Sequence, residues 1–335
     1  MSETKSIILE RIDKMSSVDT SRCDLAIEAH EMLAAGNSDD FSVQGVTVES
    51  SDEDGYIKVT RVNVNDERGA AELGKPIGSY ITIEMPSRFY GQQEIYEQMC
   101  RRCATELKRV ADRKLSGEDD SVLVVGLGNR NITADALGPK VVGSLMITRH
   151  LRKYIPDEID EGIRPVCAIA PGVLGTTGME TEEIVYALTK EIQPKLVVVI
   201  DALCSGHVER INTTIQITDT GITPGAGVGN KRKTINQETL GVPVIAIGVP
   251  TVVDAATIAA AGIDIVMKNR IDVFGDTEAD RYDKLRRAIE PEFGNMVVAP
   301  KDVDSIIDDI SSVVANGINI SLHKGITLKD IDRYV

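Results

Sequence analysis

The stretch Val122-Leu123-Val124-Val125-Gly126-Leu127-Gly128-Asn129-Arg130-Asn131-Ile132-Thr133-Ala134-Asp135-Ala136-Leu137-Gly138-Pro139 decides the reading of the fold. A short, unbroken apolar run closed by glycine and followed by helical spacing reads as a strand buried on both faces that feeds a helix. Three further runs repeat the pattern: Pro165-Val166-Cys167-Ala168-Ile169-Ala170, Leu196-Val197-Val198-Val199-Ile200 and Pro243-Val244-Ile245-Ala246-Ile247. Between and after them, residues 135–154, 181–192, 255–267 and 303–314 carry helical spacing. This alternation predicts an α/β fold, a mostly parallel central sheet flanked by helices. Ligands of such sheets sit beyond the carboxyl ends of the strands, so the residues that follow each run are the ones to read chemically.

Asp135 follows the first run and Asp201 closes the third, Val199-Ile200-Asp201, so the pattern places both carboxylates at strand ends facing one cleft. Such a pair divides acid and base roles, activates water or holds a metal, according to which carboxylate its surroundings leave ionised. The bland reading makes Asp135 a helix N-terminal acid that complements the macrodipole. Gly126-Leu127-Gly128 after a strand hints at a dinucleotide site, yet Asn131 stands where the third glycine belongs and no Gly-Lys-Ser/Thr follows. His207 is the sole histidine near Asp201, in a polar loop, and reads as solvent-exposed.

Working outward, Gly172-Val173-Leu174-Gly175-Thr176-Thr177-Gly178, Pro224-Gly225-Ala226-Gly227-Val228-Gly229-Asn230 and Gly248-Val249-Pro250-Thr251 are glycine-rich loops that can present bare N–H groups to a substrate backbone. Lys231-Arg232-Lys233 stands out against an acidic background as a docking point for an acidic substrate or a solvated run. Asn129, Thr176, Thr177, Gly227, Lys231 and Arg232 are the candidate substrate contacts. Upstream, residues 41–83 alternate in polarity, as in Tyr56-Ile57-Lys58-Val59-Thr60-Arg61-Val62, and predict a small antiparallel β element within residues 41–90. Residues 92–114 are helical by spacing, and residues 1–40 form a polar appendage with one amphipathic stretch at 25–33.

The 335 residues, 42% hydrophobic and 27% charged, fit one elaborated domain or two. A net charge of -15, from 37 basic and 52 acidic residues, repels polyanions, and the absence of Trp leaves few stacking platforms. Direct nucleic-acid binding is therefore not expected. No apolar run is long enough to span a membrane and Met1-Ser2-Glu3-Thr4-Lys5 lacks a signal-peptide pattern, so the expected location is cytosolic, with reduced thiols. Cys100 and Cys103 form a CxxC inside the helical stretch and read as a buried helix face.

Taken together these residues resemble the spore germination proteases of endospore-forming bacteria. The likeness runs from Asp24-Leu25-Ala26-Ile27-Glu28 through Gly126-Leu127-Gly128-Asn129, Asp135-Ala136-Leu137-Gly138-Pro139 and Pro171-Gly172-Val173-Leu174-Gly175-Thr176-Thr177-Gly178. It continues through Asp201-Ala202-Leu203, Asn212-Thr213-Thr214-Ile215-Gln216, residues 224–233 and Gly248-Val249-Pro250-Thr251-Val252-Val253-Asp254. The resemblance implies a fold similar to the hydrogenase-maturation endopeptidases, essential aspartates at Asp135 and Asp201, and small acid-soluble spore proteins as substrates, cleaved in a short acidic motif in the spore core. It further implies a homotetramer. In the maturation endopeptidases a histidine helps hold a metal and has no counterpart here, so neither a metal nor another cofactor is expected. Arg130 and Ala134 depart from the family pattern, which carries Trp and Pro there.

Asp24-Leu25-Ala26-Ile27-Glu28 copies the shape of that acidic motif, so residues 1–24 are expected to be a propeptide cut between Asp24 and Leu25, with 25–335 the peptidase domain. Cutting should accelerate as pH falls, and the uncut chain should be an inactive precursor. Two rival readings are a metal-dependent maturation-type peptidase with Asp135 and Asp201 as ligands, and a nucleotide-binding module using Gly126-Leu127-Gly128-Asn129.

Overall fold

A computed structural model describes residues 24–35, 43–52, 57–85, 92–225, 232–255, 257–259 and 297–331. Its centre is a nine-stranded sheet of order β1-β2-β3-β7-β8-β6-β4-β5, with β9 paired to β8. The strands are β1 Val46–Ser51, β2 Lys58–Val64, β3 Gly78–Glu84, β4 Val122–Gly126, β5 Val166–Ile169, β6 Leu196–Ser205, β7 Thr214–Thr218, β8 Val244–Asp254 and β9 Val297–Val298. The four apolar runs of the sequence are β4, β5, β6 and β8, and they pair in parallel. The antiparallel strands expected at residues 41–90 continue the same sheet, because β3 pairs with β7 and β7 with β8.

Strand alternation sends neighbouring residues of β4 and β6 to opposite faces, which is why both runs are apolar throughout. On one face Val122, Val124, Val198 and Ile200 join Met99, Cys103, Leu107, Leu137, Ile310 and Val314. On the other, Leu123, Val125, Val197 and Val199 meet Val185 and Leu240. The helices that cover these faces include α3 (Gln93–Ala111), α4 (Leu137–Gly143), α7 (Thr181–Ile192) and α9 (Val303–Leu322). Cys100 and Cys103 are fully buried on α3, where α9 crosses so closely that a Cβ on Gly317 would lie 2.6 Å from Cys103 Sγ. They are packing residues, as their helical spacing predicts.

Two expectations need correction. The helix expected over residues 135–154 is a 3-10 turn (Thr133–Asp135), then α4, then a separate α5 (Arg149–Tyr154). The break at 144–148 is held by tertiary bonds in place of helical ones. Met146 N–H donates to Asn319 Oδ1 at 3.0 Å, Asn319 Nδ2 donates to the Ser144 carbonyl at 3.2 Å, and Thr148 N–H bonds the Val166 carbonyl at 3.0 Å. The other correction is that Asp201 does not end its strand. β6 runs on to Ser205, since β8 extends to Asp254 beside it and supplies partners as far as Val253. The expected helix over 255–267 falls mostly outside the described residues.

The N-terminal piece is α1 (Ala26–Ala35), followed after β2 by the short α2 (Glu67–Leu73). Ala26 and Ala29 of α1 pack with Val62, Leu73 and Tyr80. Among the described residues no helix is long and apolar enough to cross a membrane.

Candidate active site

The turn after β4 is built around glycine. A Cβ on Gly126 would lie 2.2 Å from the Gly138 carbonyl, and one on Gly138 2.3 Å from the Leu127 carbonyl, so these glycines let the start of α4 cross the strand end. Gly128 takes φ +106°, where a Cβ would meet the Asp135 carbonyl at 2.0 Å. The glycines that hint at a dinucleotide fingerprint thus serve chain crossing. Asp135 ends the 3-10 turn, its Oδ2 accepting the Asn129 N–H at 2.8 Å. Thr251 Oγ1 of β8 donates to the Ala134 carbonyl at 2.7 Å and ties that turn to the sheet. Burial raises the Asp135 carboxyl above the usual carboxylate range, and the Asn129 N–H partly opposes it.

Asp201 lies on the neighbouring strand, in register with Gly248 of β8. It is 7% exposed. Burial first, then the negative charges of Asp135 and Asp24, push its carboxyl well above the ordinary range, while the Ala202 N–H bond at 3.0 Å acts the other way. The environments of the two aspartates therefore differ: Asp201 is deeply buried and faces two like charges, whereas Asp135 is less buried, each accepting one backbone N–H. Both line one cleft of about 1070 Å³, together with Leu127, Gly172, Val173, Leu203, Gln216, Gly248 and Arg232.

Asp24 lines the same cleft. Its Oδ2 accepts the Cys204 N–H at 3.0 Å, and its carbonyl accepts Lys75 Nζ at 3.2 Å and Gln216 Nε2 at 3.3 Å. Two residues on, Ala26 N–H donates to Gln216 Oε1 at 2.7 Å. Leu25 is fully buried and clusters with Ile27 and Leu203, against Ile222. Further along α1, Glu28 is fully buried and accepts Ser205 Oγ at 2.9 Å and the Gly206 N–H at 3.0 Å. Arg210 binds Glu31 through both terminal nitrogens at 2.8 Å and Glu84 through Nε at 2.9 Å, with Glu28 at 3.7 Å. Burial works against the charge of Arg210, and Glu31, Glu84 and Glu28 outweigh it.

The remaining candidate contacts divide. Arg232 lines the cleft and pairs with Glu180 at 3.6 Å, while Lys233 pairs with Glu182 and Glu183 at 3.5 Å. The hydroxyls of Thr176 and Thr177 donate to the Val173 carbonyl within their own turn, so it is the neighbouring Gly172, Val173, Leu174 and Gly175 that line the cleft. Asn129 positions Asp135 through its backbone N–H, and its Oδ1 accepts the Asn131 N–H at 3.1 Å. Gly227 and Lys231 lie outside the described residues. His207 is exposed. Lys75 and Arg210 stand in no quoted motif, Gln216 and Glu28 end motifs with no role assigned to either, and it is the fold that brings Lys75, Gln216 and Arg210 to Asp24 and its helix.

Asp135, in the turn after β4, and Asp201, within the neighbouring β6, thus share one cleft with Asp24. The germination protease family profile matches residues 26–288 and 271–335, and the chain belongs to that family. Germination protease of Clostridium tetani (strain Massachusetts / E88) is 48% identical over 328 residues, covering 94% of this chain and 99% of that protein. The Clostridium perfringens (strain ATCC 13124) protein is 46% identical over 325 residues, covering 94% and 98%, and that of Bacillus mycoides (strain KBAB4) 39% over 355, covering 93% and 96%. Among solved structures, the NiFe hydrogenase maturation protease HycI of Thermococcus kodakarensis KOD1 is 18% identical, covering 54% of this chain and 97% of that one, with a TM-score of 0.26.

Proposed function

We propose that this chain is the precursor of an endopeptidase of small acid-soluble spore proteins, and that it hydrolyses peptide bonds with Asp135 as base and Asp201 as acid. The observation that carries the reading is the Asp24–Leu25 peptide bond: Asp24 lines the cleft that Asp135 and Asp201 line, and Gln216, another lining residue, bonds both the Asp24 carbonyl and the Ala26 N–H. Ionised Asp135 takes a proton from water, which attacks the carbonyl carbon. Asp201, kept protonated by burial and by its two acidic neighbours, gives its proton to the leaving nitrogen. The first substrate is the chain's own Asp24–Leu25 bond. Until it is cut, residues 24–31 fill the ground a substrate needs, which makes the precursor inactive.

The acidic substrate approaches a protein that is itself strongly acidic, so docking draws on Arg232 at the cleft edge, with Lys231 and Lys233 beside it in sequence. The active form is a homotetramer in the spore core, a reading that rests on family likeness and that light scattering checks. The test of the function is incubation of acid-treated protein with a purified small acid-soluble spore protein, followed by mass spectrometry. Cleavage within an acidic motif, lost in Asp135→Asn and Asp201→Asn chains that still fold, is the expected result. Full cleavage by either variant removes that residue from the mechanism.

A further inference from the structure

We infer that Lys75 and Gln216 are catalytic residues of this site, the pair that holds the carbonyl oxygen of the scissile bond as it becomes an oxyanion. The inference rests on the two-aspartate reading above and adds the electrophilic half that it lacks. Water attack on a peptide carbonyl moves the π electron pair onto oxygen. In a cleft lined by Asp24, Asp135 and Asp201 that new negative charge meets like charges unless donors are fixed beside it. The carbonyl oxygen of Asp24 has two such donors, an ammonium at 3.2 Å and a side-chain amide at 3.3 Å.

Gln216 does more than donate. While its Nε2 bonds the carbonyl of Asp24, its Oε1 accepts the N–H of Ala26 at 2.7 Å, so one amide spans Leu25 from the carbonyl before it to the N–H after it. It is 6% exposed and fixed in β7, paired with Gly248 and with Thr82. Lys75 is set by the chain around it. Gly74 caps α2 at φ 67° with its N–H on the Ala70 carbonyl at 3.0 Å, and Tyr80 Oη donates to the Pro76 carbonyl at 2.8 Å. The antiparallel extension of the sheet thereby brings a cation to an acidic site.

The step balances as follows. Water oxygen bonds the Asp24 carbonyl carbon and its proton goes to Asp135, leaving an oxyanion held by Lys75 Nζ and Gln216 Nε2. Asp201 protonates the Leu25 nitrogen, the C–N bond breaks, and the oxyanion's pair re-forms the C=O. The new carboxyl group gives up its proton, and the aspartates exchange theirs through solvent.

The test is the first-order rate of self-cleavage of the full chain, read by mass spectrometry, in Lys75→Met, Lys75→Arg, Lys75→Ala and Gln216→Ala. Lys75→Met and Gln216→Ala should each slow cleavage by about 10²- to 10³-fold, Lys75→Met with the melting temperature unchanged, and Lys75→Arg should retain most of the rate. In Lys75→Ala, added ethylammonium should restore cleavage and tetramethylammonium, which has no N–H, should not. A Lys75→Met chain that cuts itself within about threefold of the parent rate overturns the inference, as does a Lys75→Ala chain that ethylammonium leaves unchanged. Asp135→Asn and Asp201→Asn run alongside. Parental cleavage by these sinks the two-aspartate reading, whereas their inactivity beside an active Lys75→Met sinks the present inference alone.

Discussion

Gln216 and Asp201 stand in one cross-strand row on either side of Gly248, each in direct register with that glycine. Partners in register point to the same face of a sheet, and two strand spacings amount to about 10 Å, room for a peptide bond and a water between the two side chains. The glycine is what keeps this space open. A Cβ there would lie 2.3 Å from Cδ1 of Leu203, the residue against which Leu25 packs. Gly248→Ala should therefore push Leu203 into the Leu25 pocket, slowing self-cleavage roughly tenfold and favouring peptides with a small residue after the cut. Peptide cleavage rates with Leu or Ala at that position check this, and an unchanged Leu/Ala preference counts against it.

Activity should depend on pH through Asp201. Its folded pKa is raised above the ordinary value of about 3.9, so the native state holds that proton more tightly than the unfolded chain. The resulting stability is fully present below the ordinary value and is lost as pH rises through the raised one. Only the protonated form donates, so self-cleavage should accelerate as pH falls through the raised value, until protonation of Asp135 stops it. Melting temperatures should fall as pH rises through that value in the parent and fall less in Asp201→Asn. A parent rate independent of pH would rule out this assignment of the acid.

How far these features are legible in the sequence depends on how local they are. The runs of β4, β5, β6 and β8 announce the parallel centre because burial on both faces demands continuous apolar residues, and Asp135 and Asp201 follow from their place beside two of those runs. Thr214-Ile215-Gln216-Ile217-Thr218 overlaps a stretch of the family likeness, yet nothing local in it gives Gln216 a role. Its glutamine reaches the site only through pairing with a strand some thirty residues later in the chain. Lys75 sits in a polar turn like any surface lysine, and its aim at Asp24 is set by the cap at Gly74. The break in the helix after Gly143 is equally non-local, since Asn319 supplies the bonds that replace the helical ones.

Arg210 is the clamp on the docked helix. Replacing it with Ala leaves Glu28 buried beside Ser205 without its nearest cation and strips Glu31 and Glu84 of a shared partner. Loss of such a pairing costs about 3 kcal/mol. Arg210→Ala should lower the melting temperature by several degrees and slow self-cleavage at least tenfold, because the helix that follows the scissile bond then loses its ion-paired anchor. A time course on gels measures this, and faster processing would mean that the helix restrains the bond.

Arg232 and Lys233 face Glu180, Glu182 and Glu183, so their field is partly spent on their own neighbours. Converting both to Gln should raise KM for an acidic peptide several-fold at low salt with kcat unchanged, and should flatten the salt dependence. Unchanged kinetics at low ionic strength would reduce the pair to a surface feature.

The most direct test of the account is the N-terminal residue of the full chain after mild acid incubation, read by mass spectrometry in the parent and in Asp201→Asn. The account predicts a new terminus at Leu25 in the parent, first order and independent of protein concentration, and an intact Met1 chain in the variant. A parent that keeps Met1 while digesting spore proteins at full rate, or a variant that acquires the Leu25 terminus as fast as the parent, would contradict it.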